Sequence, residues 1–246
     1  MRKIIAMIPS RYGSSRFPGK PLAILKGKPM IQWVYEHVSQ VEAISDIYVA
    51  TDDKRIFEAV KKFGGNVLMT SKSHTCGTER LAECAKILSL DDEDIILNIQ
   101  GDEPMVRKEM ILDLLHCFDT PDVYMGTLKK RIEKENELTN PNVVKVISDV
   151  NDNAIYFSRF CIPFERDGGS AIHYKHIGVY GYTKKFLLEY SEMPKTELEM
   201  TELLEQLRVI EHGLKIKVKE TRYQTIGVDT PRQLEEVERL MEVEDE

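Results

Sequence analysis

The sequence has little of what several classes of protein depend on. Its four cysteines are scattered and form no C-x-x-C pair, which excludes a zinc ribbon or thioredoxin-like motif and favours reduced thiols. No apolar run approaches the length of a membrane span, and the apolar stretch near the N-terminus is too short for the core of a signal peptide. The net charge of −7 argues against a general nucleic-acid binder. We therefore expect a soluble, cytoplasmic protein whose partners include neither membranes nor nucleic acids.

The chain does contain a regular alternation of short apolar runs and amphipathic segments in its first half. Strands are predicted at 3–8, 46–50, 66–69 and 94–99, and helices at 29–41, 54–63, 77–88 and 108–118. This alternation predicts an α/β fold with a mostly parallel, doubly wound sheet that helices cover on both faces. In such a sheet, ligands bind beyond the carboxyl ends of the strands.

The pattern changes after about residue 120. Strand-like segments with short connections follow one another up to residue 182, which predicts antiparallel additions to the sheet. Helical patterns return at 184–190, 197–211 and 231–242. Because the chain shows no internal repeat, linker or clear boundary, we expect residues 1–246 to form a single domain.

Three cations are crowded into the polar loop that follows the first predicted strand. The segment IPSRYGSSRFPGKPL (8–22) carries Arg11, Arg16 and Lys20 among glycines and prolines. So much positive charge at a strand end suits a triphosphate whose pyrophosphate becomes the leaving group. The alternative is a solvated basic loop without a ligand, and the glycines and prolines, which favour a fixed shape, count against it.

This loop matches neither of the two common phosphate-binding motifs. The spacing from Gly13 to Gly19 is one residue too long for a P-loop, and Pro21 replaces the Ser or Thr that would hold magnesium. The pattern G-x-G-x-x-G of dinucleotide-binding proteins is also missing. The loop therefore indicates a nucleotide site of another kind.

Carboxylates occur at two places that could hold a metal ion. Asp102 and Glu103 follow the strand at 94–99, where a carboxylate beside a triphosphate is a natural magnesium ligand, although Gly-Asp also favours a plain turn. Asp229 precedes a helix that opens at Thr230-Pro231, and in isolation it is better explained as a helix cap. The local pattern leaves both alternatives open.

Taken together, the motifs resemble the 3-deoxy-manno-octulosonate (Kdo) cytidylyltransferase family from about residue 4 to about residue 238. The matching segments, in order, are IPSRYGSSRFPGKPL, VATDD, GTERLAE, NIQGDEP, YFSRFCIPFERD, HIGVYGY, EQLR and GVDTP. The first is shared more loosely with other sugar nucleotidyltransferases, whereas GTERLAE, NIQGDEP and EQLR are specific to the Kdo branch. The resemblance implies one Rossmann-like nucleotidyltransferase domain that joins CTP and Kdo with the help of Mg²⁺. The products would be CMP-Kdo, for lipopolysaccharide or capsule synthesis, and pyrophosphate, and the enzyme would be a homodimer.

The resemblance also implies roles for individual residues. Residues that would bind the triphosphate and take part in catalysis are Arg11, Arg16 and Lys20, and those that would bind magnesium are Asp102 and Asp229. Further contacts to the nucleotide would come from Gly77, Arg80 and Gln100. The sugar acid would contact Arg80, Gln100, His176, Tyr180, Glu205 and Gln206. The region 120–182 would shape the sugar pocket and the dimer contact.

The chain departs from the family pattern in two places. Cys76 stands where the family commonly has serine, which removes a hydroxyl contact to the nucleotide, and the segment 165–178 is shorter than in several relatives. His74 lies in the nucleotide loop, but a lone loop histidine is more often a surface residue and is not assigned a role.

Three other functions stay open at this point. The same transfer could act on 8-amino-Kdo or another sugar acid, and the sequence does not decide between them. A sugar-1-phosphate nucleotidyltransferase shares the logic of the first loop, but GTER and EQLR count against it. A non-catalytic CTP-binding module would be expected to lack one of the cations or acids, and all of them are present.

Overall fold

The structure, a computed structural model, describes residues 2–13, 16–74, 76–168 and 171–244, with side chains up to residue 242. The strands are β1 (Ile4–Ser10), β2 (Ile24–Leu25), β3 (Lys28–Pro29), β4 (Asp46–Thr51), β5 (Val67–Met69), β6 (Ile95–Asn98), β7 (Met125–Arg131), β8 (Lys145–Ser148), β9 (Ala154–Ser158), β10 (Tyr174–Thr183) and β11 (Lys217–Glu220). The helices are α1 (Met30–Ser39), α2 (Lys54–Lys62), α3 (Gly77–Ile87), α4 (Lys108–Leu115), α5 (Glu135–Thr139), α6 (Lys184–Glu192), α7 (Glu197–Glu202), α8 (Leu207–Glu211) and α9 (Pro231–Glu244).

The central sheet confirms the predicted fold class. Its strands lie in the order β11-β7-β10-β6-β1-β4-β5. β1 pairs in parallel with both β4 and β6, so the chain runs outward from β1 to β5 on one side and returns to β6 on the other. The switch point between β1 and β6 is where a sheet of this kind binds its ligand.

The antiparallel additions follow β6, as the change of pattern predicts. β10 runs antiparallel to both β6 and β7, while β8 and β9 form a hairpin attached to the edge of β10. The short strand β11, which the sequence analysis did not predict, pairs in parallel with β7.

One predicted helix is wrong in its extent. The segment 197–211 forms two short helices, α7 and α8, because Leu203 ends α7 in the left-handed conformation with a φ of 53°. Leucine gives no sequence signal for that conformation, which normally favours glycine. The break between the two helices forms the turn that carries Glu205 and Gln206.

Alternating side chains of the strands divide the core between the two faces of the sheet. In β1, Ala6 and Ile8 pack with α1, α2 and α4, whereas Ile5 and Met7 pack with α3 and α6 on the opposite face. This alternation is the expected consequence of the two-residue period of a strand. Both faces of β1 are therefore buried, and its carboxyl end is held rigidly.

A separate hydrophobic cluster attaches α9 to the segment after the first loop. Its buried members are Leu25, Met30, Val228, Val237 and Met241. Because Val228 belongs to this cluster, the neighbouring Asp229 is fixed beside the loop.

Two broader expectations can be compared with the described residues. All four cysteines have free thiols, in keeping with the absence of a C-x-x-C pair. None of the helices described above combines the length and the apolar character that crossing a membrane requires.

Candidate active site

A cavity of about 430 Å³ opens at the carboxyl ends of β1 and β6. We call it the charged cavity. The predicted site residues that line it are Arg11, Arg16, Lys20, Gly77, Arg80, Gln100, Asp102, Glu205 and Asp229. They come from five separate parts of the chain, which the fold brings to one edge of the sheet. Its volume is within the range of small-molecule sites.

Lys20 links the two carboxylates that are candidate metal ligands. Its Nζ donates to Asp102 and, over 3.0 Å, to Oδ1 of Asp229. Arg16 pairs with Oδ2 of Asp229 at 2.9 Å. Burial opposes the charged form of Lys20, but the adjacent Asp102 and Asp229 carboxylates outweigh that effect and raise the pKa of Lys20. Two carboxylates from distant parts of the chain thus converge on one cation.

Asp229 is not the cap of α9. The hydroxyl of Thr230 accepts from the Gln233 N–H over 3.3 Å, and the Gln233 side chain accepts in return from the Asp229 N–H over 3.0 Å. The Thr230 side chain therefore caps the first turn of α9, and the Gln233 side chain binds the N–H of the residue before Thr230. The carboxylate of Asp229 is therefore left to pair with Lys20 and Arg16.

The two neighbouring acids of the loop after β6 point to different places. Asp102 lines the charged cavity, whereas Glu103 lines a separate cavity on the far side of the loop. Burial raises the pKa of Glu103 to about 7. Of these two neighbouring acids, Asp102 is the one that contacts Lys20.

Gly101 is required by a close approach between two loops. A Cβ at this position would overlap Oγ of Ser10 and lie 3.0 Å from the carbonyl oxygen of Pro9. Ser10 lines the charged cavity, and its Oγ is buried with no hydrogen-bond partner among the described residues. Neither residue carries a signal in the sequence, because the approach is a tertiary contact.

Arg80 combines a place in the cavity wall with buried contacts to two other loops. It is only 4% exposed, and its guanidinium donates to Thr70 Oγ1 and, over 3.1 Å, to Asp52 Oδ2. These contacts connect α3 to the loops after β4 and β5. A buried, paired arginine of this kind stabilises the shape of the cavity wall.

The loop before α3 is fastened by Glu83. This carboxylate accepts from the Ser71 N–H over 2.9 Å and contacts His74, which lines the charged cavity. Cys76 occupies the N-cap position of α3 and makes no capping hydrogen bond. Burial and the nearby Glu205 carboxylate raise the pKa of Cys76 to about 11, so its thiol is protonated near neutral pH.

A second, smaller cavity of about 220 Å³ adjoins the charged one. We call it the tyrosine cavity, and its lining includes Tyr180, Tyr182 and Tyr190. The predicted sugar-binding residues Glu205 and Gln206 also line it. The two cavities share a wall to which three predicted residues contribute: Gly77, Gln100 and Glu205.

Glu205 is held in that shared wall from two directions. Thr78 Oγ1 donates to Oε2 of Glu205 over 3.1 Å, and the Tyr190 hydroxyl donates to the Glu205 carbonyl oxygen over 2.7 Å. The sequence analysis identified Glu205 by resemblance but not its supports, Thr78 and Tyr190. Thr78 and Tyr190 both lie in predicted helices, where no local pattern indicates a contact with Glu205.

His176 lies behind the tyrosine cavity and does not line it. Its ring packs 5.3 Å from the ring of Tyr180 and 5.1 Å from that of Phe157. The Thr127 hydroxyl donates to the Val179 carbonyl oxygen over 2.8 Å, so at the 3.0 Å contact it accepts from Nε2 of His176. Burial lowers the pKa of His176 to about 3, and the ring is neutral.

Comparison with known proteins agrees with this geometry. A family model described as Cytidylyltransferase matches residues 5–216. The 3-deoxy-manno-octulosonate cytidylyltransferase of Thermodesulfovibrio yellowstonii is 48% identical, covering 96% of this chain and 97% of its own. The protein of the same name from Fusobacterium nucleatum is 50% identical, covering 96% of this chain and 95% of its own.

Solved structures show the same relationship. A CMP:2-keto-3-deoxy-manno-octonic acid synthetase complexed with CTP superposes with a TM-score of 0.93 at 43% identity, covering 98% of this chain and 99% of that chain. A 4-diphosphocytidyl-2C-methyl-D-erythritol synthase from Anaerococcus prevotii, at a TM-score of 0.64 and 17% identity over 98% of this chain and 99% of that one, shares the fold. The chain belongs to the cytidylyltransferase family, and within it to the 3-deoxy-manno-octulosonate cytidylyltransferases.

Proposed function

We propose that this protein transfers the CMP group of CTP to Kdo, giving CMP-Kdo and pyrophosphate. The observation that carries the proposal is the convergence of Arg16 and Lys20 on Asp102 and Asp229, beside a second cavity of different chemistry. The close relatives carry the name of this activity, and a similar solved structure is a complex with CTP. The product would supply Kdo to lipopolysaccharide or capsule synthesis.

The charged cavity would hold the triphosphate of CTP. Arg11, Arg16 and Lys20 all line it and supply positive charge where the pyrophosphate leaves. Charge accumulates on that group in the transition state, so cations placed there accelerate the transfer. The unpartnered hydroxyl of Ser10 is a further donor available to the nucleotide.

The tyrosine cavity would hold the sugar acid. Its tyrosines offer flat apolar surface, and Glu205 and Gln206 offer hydrogen bonds to sugar hydroxyl groups. Gln100 and Arg80, in or near the shared wall, would contact both substrates. The anomeric hydroxyl would then attack the α-phosphate in line, with the substrates held at the junction of the two cavities.

Asp102 and Asp229 would bind Mg²⁺. Their oxygens already converge on one cation, the Lys20 ammonium, so the donor set suits a hard metal ion. No group of three or more acidic, histidine or cysteine ligands occurs in the described part of the chain, and Mg²⁺ commonly takes its remaining ligands from water and substrate phosphates. When bound, the metal would neutralise charge on the phosphate oxygens.

Assembly and location complete the proposal. We expect a homodimer, because the antiparallel region carries exposed apolar side chains, with Phe160 75% and Phe164 84% exposed. Light scattering would show a dimer in solution, and a monomer at all concentrations would contradict it. The free thiols suit a reducing compartment such as the cytoplasm.

The first experiment is pyrophosphate release with CTP and Mg²⁺, offering Kdo, 8-amino-Kdo and N-acetylneuraminate in parallel. Release with Kdo alone is expected. Release with another sugar acid keeps the reaction and changes the acceptor. No release with any of them, under conditions where CTP still binds, would identify a non-catalytic CTP-binding module.

A further inference from the structure

Tyr12 and Gly19 close the base of the first loop, with Arg16 inside the closed segment and Arg11 and Lys20 directly outside it. The Gly19 N–H donates to the Tyr12 carbonyl oxygen over 2.9 Å. Gly19 has a φ of 72°, and a Cβ there would come within 2.8 Å of the Tyr12 ring. The two residues therefore pack directly against each other, one beside Arg11 and the other beside Lys20.

A second contact holds the Tyr12 ring from α2. The Arg55 guanidinium carbon lies 3.3 Å from the centroid of the Tyr12 ring, a close cation–π stack. Arg55 is itself oriented by Asp53, whose two carboxylate oxygens accept from its Nε over 2.9 Å and its Nη2 over 2.7 Å. Asp53 also caps α2 by accepting from the Arg55 N–H over 2.9 Å.

These contacts connect the first turn of a rigid helix to the base of the loop. Arg55 does not line the charged cavity, and Tyr12 does not either, so neither touches a ligand held there. Tyr12 packs on the core, whereas Arg55 is on the surface. Through this stack, α2 holds Tyr12 and, with it, Gly19 at the two ends of the loop.

We propose that Tyr12 and Arg55, oriented by Asp53, form a clamp that positions the loop cations for the triphosphate. Arg55 is a positioning residue in this proposal, which rests on the proposed binding of CTP in the charged cavity. The competing explanation is that the Arg55 side chain changes conformation and binds a phosphate group of CTP directly.

The test compares Tyr12→Ala, Tyr12→Phe, Arg55→Ala and Asp53→Asn with a matched control, Lys61→Ala. Lys61 lies on the same helix and sits over the Phe57 ring at 5.9 Å, away from the loop. Asparagine caps helices about as well as aspartate, so Asp53→Asn removes the ion pair and keeps the cap. CTP affinity is measured by calorimetry, together with kcat and both KM values.

We expect Arg55→Ala and Asp53→Asn to weaken CTP binding about 2- to 5-fold, the scale of an exposed cation–π contact. Tyr12→Ala should weaken it about tenfold, since it removes the packing on Gly19 as well. Tyr12→Phe should retain most of the wild-type affinity for CTP, because the ring is kept. The KM for the sugar acid should change little in all of them.

A second readout needs no substrate. Hydrogen exchange of the Gly19 amide, followed by NMR, should be faster in Tyr12→Ala and Arg55→Ala than in the wild type and unchanged in Lys61→Ala. This series tests the clamp even if the wild type fails to turn over CTP, which would count against the proposed function alone.

Three results would overturn the clamp. Arg55→Ala could match Lys61→Ala in both readouts. Asp53→Asn could strengthen CTP binding, as expected if a released Arg55 binds phosphate directly. The losses in Tyr12→Ala and Arg55→Ala could simply add in the double variant, whereas a shared contact predicts that they do not. If Tyr12→Ala does not fold, the variants of the exposed Arg55 and of Asp53 still decide.

Discussion

The charged cavity and the tyrosine cavity share one wall but are built in different ways. The charged cavity is assembled mostly from loop residues, and the side chain of Arg16 in its wall is 67% exposed to solvent. The tyrosine cavity is assembled on β10 and α6, where Tyr182 lies 6.0 Å from Tyr180 and 6.2 Å from Tyr190 in stacked rings. Burial raises the pKa of Tyr182, so these hydroxyls stay neutral.

The difference indicates that the charged cavity acts mainly through charge and the tyrosine cavity mainly through shape. Ion pairs at the solvent-exposed edge contribute little to folding, so their residues can serve chemistry. Buried aromatic rings contribute to the core and to the pocket at once. We therefore expect substitutions in the charged cavity to alter turnover with little loss of stability, and substitutions around the tyrosine cavity to alter both.

The largest effect is expected for Asp229→Asn. If Asp229 binds Mg²⁺ as proposed, the substitution should lower kcat about 1,000-fold and raise the magnesium concentration needed for half-maximal rate. The free energy of unfolding should change by less than about 1 kcal/mol, because Thr230 caps α9. Kinetics at varied Mg²⁺ and thermal unfolding are the measurements.

The matched control for that prediction is Thr230→Ala. It should cost about 1 kcal/mol of stability and retain most of the magnesium response. If Asp229→Asn is the less stable of the two and responds normally to magnesium, the assignment of Asp229 to the metal site is wrong.

Arg16→Ala should have the next largest effect. Removing a cation from the leaving group should lower kcat about 100-fold. The exposed position of Arg16 predicts an unchanged unfolding midpoint. Steady-state kinetics with CTP would check this, and a near-normal kcat would remove Arg16 from catalysis.

His176→Gln should change how stability depends on pH. The folded pKa of about 3 lies below the ordinary value of 6.5, so only the unfolded chain takes up this proton between those values. His176 therefore stabilises the fold fully above pH 6.5, and this contribution is lost as the pH falls toward 3. The wild type should lose about 2 kcal/mol more than the variant between pH 7 and pH 5.

Urea unfolding at several pH values measures the difference between the two proteins. Equal slopes of unfolding free energy against pH would show that His176 protonates as easily in the folded state as in the unfolded state. The surroundings of His176, behind the tyrosine cavity, would then be more accessible to water than the structure indicates.

Tyr190→Phe tests whether shape and stability are coupled in the tyrosine cavity. It removes the hydrogen bond to the Glu205 carbonyl and keeps the ring, so it should cost about 1 kcal/mol of stability. Because Glu205 would move, the KM for the sugar acid should rise several-fold while the KM for CTP changes less. An unchanged KM for the sugar acid would separate Tyr190 from substrate positioning.

Cys76→Ser should have the smallest effect. A serine hydroxyl can cap α3 where the thiol makes no such bond, which should add about 0.5–1 kcal/mol of stability. Denaturant unfolding would measure the gain. No gain would mean that the cap geometry at residue 76 does not suit a hydroxyl.

Some elements of the fold could be predicted from the sequence and others could not. The parallel half could be predicted because its strands are buried on both faces and its helices have a clear period. Leu203 could not be predicted as a helix end, and the short β11 carries too little pattern to be separated from a loop. Residue type gives a poor signal wherever tertiary packing decides the backbone.

The residues of the candidate site also differ in how well the sequence identifies them. The cations of the first loop are visible as a cluster, since they lie within ten positions of one another. Asp229 was ambiguous locally, because Asp-Thr-Pro is also a capping pattern, and only the resemblance favoured the metal role. Gly101 and Thr78 depend on contacts between segments that are distant in the sequence, and no local pattern predicts such contacts.

The docking of α9 has a consequence for the order in which the site is made. Lys20 and Asp229 are 209 positions apart, and the cluster of Val228, Val237 and Met241 holds the second of them in place. During synthesis, the parallel half of the sheet can fold with Lys20 and Asp102 while Asp229 has yet to be translated. The second carboxylate is translated last, so a chain shortened before Asp229 would lack one of the two proposed magnesium ligands, and we expect it to be inactive.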